Sequence, residues 1–290
     1  MKILIVGASG LVGFNCYNAL TSAGHHVVGT CFRHPRAGLI PLDLGDHAAV
    51  REVLKATRPD VVICATAWSF VDGCQADPKR AFRENTEQPE LLANLATVEA
   101  ARMVHFSTSY IFDGTAGPYS EDAAPNPISI YGESKLAGER KVQEATRGEA
   151  IIVRTMGVYG SDPQAKNFVS QVRRNLSSGE RMRVPCDQLG NASYAPDIAE
   201  ALLQLMVTGR TGIWNVAGPE PALPRSEVAR RVARYYGLDE SLFDFPTTAE
   251  LTGLAPRPLH GGLRTDKARL QLDWEPRSLE AGLASMDDLG

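Results

Sequence analysis

At 290 residues, 43% hydrophobic and 22% charged, the chain can bury one large core, or one core with a smaller lobe attached. The formal net charge is −4, the pI is near 5.9, and basic residues are scattered apart from the short Arg230-Arg231 run, so electrostatics give no case for nucleic acid or an anionic membrane as partner. Cys16, Cys31, Cys64, Cys74 and Cys186 form an odd set without a C-x-x-C pair, which argues against a disulfide framework or a zinc site and for a reducing, cytoplasmic setting.

Ile3 to Val6 is too short an apolar run for a signal peptide or a membrane span and reads as a buried strand. Further strand-length runs follow at His26 to Gly29, Val61 to Ala65, Met103 to Ser107, Ile151 to Arg154 and Ile213 to Val216. Between them Gly10 to Ala23, Ala48 to Thr57, Arg80 to Ala101 and Ser129 to Ala145 read as helices, the third with Leu91, Leu92, Leu95 and Val98 at helical spacing. Strands apolar on both faces imply a parallel sheet covered by helices. The alternation predicts an α/β chain built on a Rossmann-like, doubly wound parallel sheet.

After Tyr159 the alternation breaks at Pro163, at the amphipathic Phe168 to Leu176, at Ser177-Ser178-Gly179 and at the proline-rich stretches 221–224 and 256–258. We therefore expect residues 1–160 to form a dinucleotide-binding domain, with 190–217 returning to it once. Residues 161–189 and 218–290 would form a smaller, discontinuous substrate-binding lobe.

Directly after the first strand comes Gly7-Ala8-Ser9-Gly10-Leu11-Val12-Gly13, a G-x-x-G-x-x-G loop opening a helix. Glycines serve where the chain turns tightly and where main-chain N–H groups approach a pyrophosphate at a helix N-terminus. The plainer alternative is a glycine-rich turn that holds nothing. An acidic residue near the end of the second strand would select the free ribose of NADH, but this chain reads Thr30-Cys31-Phe32-Arg33-His34 there. Arg33 offers a planar fork to a 2′-phosphate, so NADPH is the expected cofactor and NADH the lesser alternative; a solvated loop arginine is the plainer reading.

Tyr131 and Lys135 lie at i and i+4 of the expected Ser129 to Ala145 helix and so share a face. An adjacent ammonium favours an ionised phenol, and on this reading lysine tunes while tyrosine moves the proton. The pair follows a strand ending in Ser107-Thr108, whose hydroxyls would reach the same cleft, Thr108 orienting a substrate carbonyl. A tyrosine packed under a surface lysine, and a strand-end hydroxyl bonded to backbone, are the plainer alternatives.

Together these motifs resemble the extended short-chain dehydrogenase/reductase superfamily, and within it the dTDP-4-dehydrorhamnose reductase family. The likeness runs through Asp60 to Trp68, Val71-Asp72, Asn85, Ser107 to Gly114, Gly117-Pro118-Tyr119, Tyr131 to Glu139, Val153-Arg154-Thr155, Asp187-Gln188 and Tyr194 to Asp197. The resemblance implies that Thr108, Tyr131 and Lys135 are catalytic, Tyr131 and Lys135 also touching the cofactor. It implies that Gly7, Gly10, Leu11, Val12, Gly13 and Arg33 hold the cofactor with Asp43-Leu44 at the adenine and Ala65, Thr66 and Ala67 on the nicotinamide side. Trp68, Val71, Ser109 and Tyr110 would meet the substrate, a nucleotide-linked 6-deoxy sugar reduced at its 4-keto group, as in dTDP-rhamnose biosynthesis. A monomer or homodimer is expected.

The chain departs from that pattern where the sugar would sit. Ser109 stands where the family usually has Asp, Gly157 where it often has Trp, Asn191-Ala192-Ser193 for Ser-Pro-Thr, and Cys64 for the usual Asn. Asn15 replaces an acidic residue through which some members hold a metal, so no metal is expected. Two other activities share parts of the pattern: a sugar-nucleotide epimerase or dehydratase with recycled NAD, and a regulatory subunit like that of methionine adenosyltransferase, which works by binding.

Overall fold

The structure, a computed structural model, describes residues 1–287. Its main sheet is built from β1 (Lys2–Val6), β2 (His26–Cys31), β3 (Ile40–Pro41), β4 (Val61–Cys64), β5 (Arg102–Thr108), β6 (Ile151–Thr155) and β7 (Gly212–Asn215), in the order β7-β6-β5-β4-β1-β2-β3. Every neighbouring pair is parallel. The order reverses between β1 and β4, and the carboxyl ends on either side of that point open into a crevice, as the expected Rossmann-like fold requires.

The helices are α1 (Leu11–Ser22), α2 (His47–Thr57), α3 (Gln88–Val98), α4 (Ile130–Ala145), α5 (Phe168–Ser177), α6 (Ala195–Val207), α7 (Arg225–Tyr235), α8 (Asp266–Gln271) and α9 (Leu279–Asp287), with shorter turns between them. Side chains alternate across a strand, which splits the sheet's apolar residues into two cores. Ile3, Ile5, Ile63 and Val104 pack under Cys16 and Leu20 of α1 and Leu202 and Leu205 of α6. Leu4, Val62, Met103 and Ile152 pack under Val50 and Leu54 of α2, Leu92 and Ala96 of α3, and Val142 of α4.

The helix expected over residues 80–101 is not continuous. It divides into Pro78–Phe82, a single π turn at Arg83–Glu87, and α3. The apolar spacing also misplaces its last member, because Val98 is exposed whereas Ala93 and Ala96 are buried.

A third core lies beyond the sheet, where Val169 and Val172 of α5, Val228 and Val232 of α7, and Leu283 of α9 meet Tyr159 and Tyr194. The chain also leaves this region a second time, contrary to the single return expected. Ala268 of α8, with Leu272 and Trp274, packs into the sheet's first core. There Lys267 Nζ donates to the Ile213 carbonyl (2.6 Å) and Trp274 Nε1 to that of Asp197 (2.8 Å).

Candidate active site

The crevice is one cavity of about 1030 Å³ that runs from the glycine loop past the ends of β4, β5 and β6 to α7. At its floor Gly7 has φ +93°, a left-handed conformation that glycine adopts without strain. Gly7 and Ala8 are tied to β2 by bonds from their amides to Thr30 Oγ1 (3.3 Å) and Thr30 O (2.8 Å). A Cβ on Gly13 would overlap the Gly7 carbonyl, so the first turn of α1 can sit on the loop only without one.

Gly10 caps α1 with no side chain, and the first turn carries no acidic residue. The N–H groups of Leu11, Val12 and Gly13 therefore have no partner within the helix and suit ligand oxygens, as a pyrophosphate would supply. Gln164 reaches over this loop, its Nε2 donating to Ser9 O (2.8 Å).

Asp43 and Leu44 line the same end, Asp43 accepting from the Gly45 amide (2.8 Å). Arg33 lines it as well but is not a free fork. Its Nη2 donates to Glu84 Oε1 at 2.9 Å.

The catalytic candidates converge at mid-cleft. Ser129 caps α4 by accepting from the Gly132 amide (3.3 Å), which fixes the helix start and sets Tyr131 in its first turn. Glu139, two turns on, forms a buried two-pronged ion pair with Arg154 of β6 (3.0 and 2.8 Å) and holds the Tyr131–Lys135 face against the sheet. The Tyr131 ring meets Tyr110 edge-on with centroids 5.4 Å apart. Burial pushes its phenol up, and the Thr108 hydroxyl pulls it back part of the way.

Lys135 is held from the strand side. Its Nζ donates to the Phe106 carbonyl at 2.7 Å and faces His105 Nε2 at 3.4 Å. Burial lowers the ammonium to about 8, and burial with Lys135 beside it holds His105 well below its usual value. The lysine's length carries its charge to a strand carbonyl, a partner that helical spacing does not show.

Three residues that line the cleft carry buried hydroxyls with no partner among the described residues: Ser107 Oγ, Ser109 Oγ and Thr155 Oγ1. Orphaned hydroxyls at a cavity wall are donors and acceptors held for something that enters it. Ala65, Thr66, Ala67, Val71 and Tyr110 line the cleft too. Trp68 does not. Its indole lies under the Arg80 guanidinium (4.0 Å), while its main chain is clamped by Asn85, which accepts from Trp68 N (2.8 Å) and donates to Trp68 O (3.1 Å).

Of the sequence departures, Gly157 has a structural reason. Its φ is +55° and a Cβ would overlap the Asn191 carbonyl oxygen, so this position takes no larger residue. Asn191 itself ties the Gly218 carbonyl (2.8 Å) to the Leu263 amide (2.8 Å). Cys64 is buried beside Thr66, and its thiol is raised by burial. Asn15 donates to the carbonyls of Leu11 (2.8 Å) and Ser161 (3.1 Å). Among the described residues no group of three His, Cys, Asp or Glu could hold a metal, and no helix is long and apolar enough to cross a membrane.

Arg225 is the residue the sequence reading missed most clearly. It opens α7, lines the cleft and stacks over Phe168 at 3.8 Å, and its guanidinium is lowered by burial. Among the described residues it has no carboxylate within ion-pair distance, unlike Arg257, which grips Asp72 with both prongs (2.9 and 2.7 Å). Nothing in Leu223-Pro224-Arg225-Ser226 separates it from Arg230 or Arg231; only its place on the cleft does.

A parallel α/β sheet with a glycine loop and a tyrosine-centred cleft at its carboxyl edge defines a Rossmann-like dinucleotide fold with an enzyme-type site. Residues 1–289 match the family described as the RmlD substrate binding domain, and the chain belongs to it. It is 31% identical over 294 residues, 99% of this chain and 97% of the relative, to a probable low-salt glycan biosynthesis reductase of Haloferax volcanii. The solved dTDP-4-dehydrorhamnose reductase ortholog of Clostridium acetobutylicum superposes with a TM-score of 0.89 at 30% identity, covering 100% of this chain and 99% of that one. The dTDP-4-dehydrorhamnose reductase of Bacillus anthracis, solved in complex with NADP, gives 0.89 at 26% identity, with full coverage of both chains.

Proposed function

We propose that the protein is an NADPH-dependent reductase of the 4-keto group of a nucleotide-linked 6-deoxy sugar, with dTDP-4-dehydrorhamnose as the first candidate substrate. The observation that carries this is the convergence on one cleft of Tyr131, Thr108 and the partnerless hydroxyls of Ser107, Ser109 and Thr155. The three relatives described above are reductases by name, which points the same way.

The dinucleotide would lie along Gly7 to Gly13 and Asp43-Leu44 with Ala65 to Ala67 at its far end, and when bound it supplies the hydride. The rest falls to this chain. Because burial keeps the Tyr131 phenol protonated at neutral pH, Tyr131 is built to give its proton to a carbonyl oxygen that gains negative charge. Thr108, beside it, favours the phenolate that remains. Val71, Ser109 and Tyr110 would bracket the sugar. Arg225, a half-buried cation on the cleft wall with no carboxylate partner among the described residues, suits the substrate's phosphates.

Loss of the reduced-nicotinamide absorbance on mixing enzyme, NADPH and dTDP-4-dehydrorhamnose tests the reading directly. Turnover that is abolished in Tyr131→Phe supports it. No turnover with any of a panel of 4-keto sugar nucleotides overturns it in favour of a binding role.

A further inference from the structure

Four charged side chains meet at the adenine end of the cleft. Glu84 Oε1 accepts from Arg33 Nη2 (2.9 Å) and Arg80 Nε (2.7 Å) and lies 3.9 Å from Arg83 Nη2. One carboxylate thus faces three guanidinium groups, an excess of positive charge. The cations differ in what else holds them. Arg80 is stacked on Trp68 and bonded through its Nε. Arg33 and Arg83 have half-exposed side chains, 52% and 56%, and both line the cleft beside Asp43 and Leu44, as does Glu84, which is 14% exposed.

The π turn at Arg83–Glu87 makes this arrangement. Widening the helix by one residue lets a single turn present Arg83 and Glu84 to the cleft while Asn85, the next residue, clamps Trp68. Two arginines from separate segments, one after β2 and one on the π turn, then flank one anion.

We infer that Arg33, Arg83 and Glu84 form a seat for the 2′-phosphate of the cofactor, in which Arg83 is the second phosphate ligand and Glu84 a built-in competitor. A phosphomonoester carries close to two negative charges near neutral pH and offers three acceptor oxygens. It outbids one carboxylate oxygen for Arg33 and draws Arg83 in from 3.9 Å, while Arg80 keeps Glu84 in place. A cofactor without that phosphate meets Arg33 already neutralised by Glu84 and loses little. Glu84 therefore sets how strongly the site prefers a phosphorylated ribose, and it narrows the gap between the two dinucleotides.

This inference rests on the dinucleotide reading of the cleft, and direct binding separates the two. Titration calorimetry of the full chain with NADP⁺, NAD⁺ and, as fragments, adenosine 2′,5′-bisphosphate and AMP reads the seat without turnover. Arg83→Ala is expected to weaken NADP⁺ and the bisphosphate roughly tenfold and to leave NAD⁺ and AMP within about twofold. Glu84→Gln is expected to tighten NADP⁺ about three- to tenfold with NAD⁺ unchanged. Equal changes for phosphorylated and unphosphorylated ligands, or none, overturn the seat while leaving the dinucleotide site intact. Wild-type protein that binds neither dinucleotide overturns the cofactor reading and this inference with it. Should Glu84→Gln misfold for want of its bond to Arg80, the half-exposed Arg83→Ala decides alone.

Discussion

Lys135 hands its ammonium to the Phe106 carbonyl at 2.7 Å, inside the sheet's edge, and not to the tyrosine one turn before it. That placement costs solvation, and burial lowers the group to about 8 from an ordinary 10.5. Between these two values the unfolded chain holds the Lys135 proton that the folded chain has released. Stability contributed at this position therefore rises with pH from about 8 to about 10.5 and is flat on either side. Urea unfolding of wild type and Lys135→Met across that window is expected to show the difference between them moving in favour of wild type as pH rises. A constant difference would mean that the lysine is not buried as a cation.

Tyr131→Phe removes one hydroxyl and keeps the ring packed against Tyr110. The expected outcome is a loss of about 10² to 10⁴ in turnover, the usual worth of a positioned proton donor, with the melting temperature nearly unchanged. Because burial raises the phenol, the donor stays protonated through the neutral range. The reductive rate of the wild type should then show no Tyr131-dependent fall between pH 6 and about 8. A steady decline through neutrality, absent from the variant's residual rate, would place the phenol's ionisation there and contradict the burial seen.

Arg225→Ala is expected to raise KM for the nucleotide sugar at least about tenfold, while NADP⁺ binding measured by calorimetry stays the same. Its stability should change little, since Arg225 is only partly buried and makes no ion pair with the described residues. A variant that loses kcat and cofactor affinity together would show Arg225 to be structural.

The architecture was legible because it depends on patterns that repeat. Ile3 to Val6, Val61 to Ala65 and Met103 to Ser107 could be recognised as buried strands from apolar runs alone, and the glycine loop sits where strand and helix meet. What escaped depends on distance in space. Glu84 and Arg33 are 51 residues apart, so no local spacing shows that one neutralises the other. The π turn has no pattern of its own inside an apolar helical period, and it turned Trp68's clamp and Arg83's placement into surprises. Motif spacing brings Thr108, Tyr131 and Lys135 to one cleft, but the partner of Lys135 is a main-chain carbonyl, which no side-chain motif encodes.

Glu139 and Arg154 form an ion pair almost wholly out of water, and each charge is tolerated there because of the other. Glu139→Gln leaves the guanidinium buried with a neutral partner and is expected to cost about 3 kcal/mol or more, read from chemical denaturation. Since this pair pins α4 to β6, the reductase rate should fall with it even though neither residue lines the cleft. A destabilised variant with full turnover would show that α4 holds its register without the pair.

Gly157 and Ser109 both line the cleft, and they differ in how freely they can be changed. Gly157→Ala asks a residue with a Cβ to hold φ +55° and to overlap the Asn191 carbonyl, so the loop that Asn191 ties together must shift. A fall in melting temperature of roughly 5 °C or more is expected. Ser109→Asp meets no such backbone barrier, since Ser109 lines the cleft and its Oγ has no partner among the described residues. It does place a carboxylate in a buried wall close to Tyr110 and Tyr131, where a negative charge raises the phenol further and repels an anionic transition state. The expected result is a folded enzyme with a changed ranking of 4-keto sugars by kcat/KM, whereas an unchanged ranking would remove Ser109 from the substrate's surroundings.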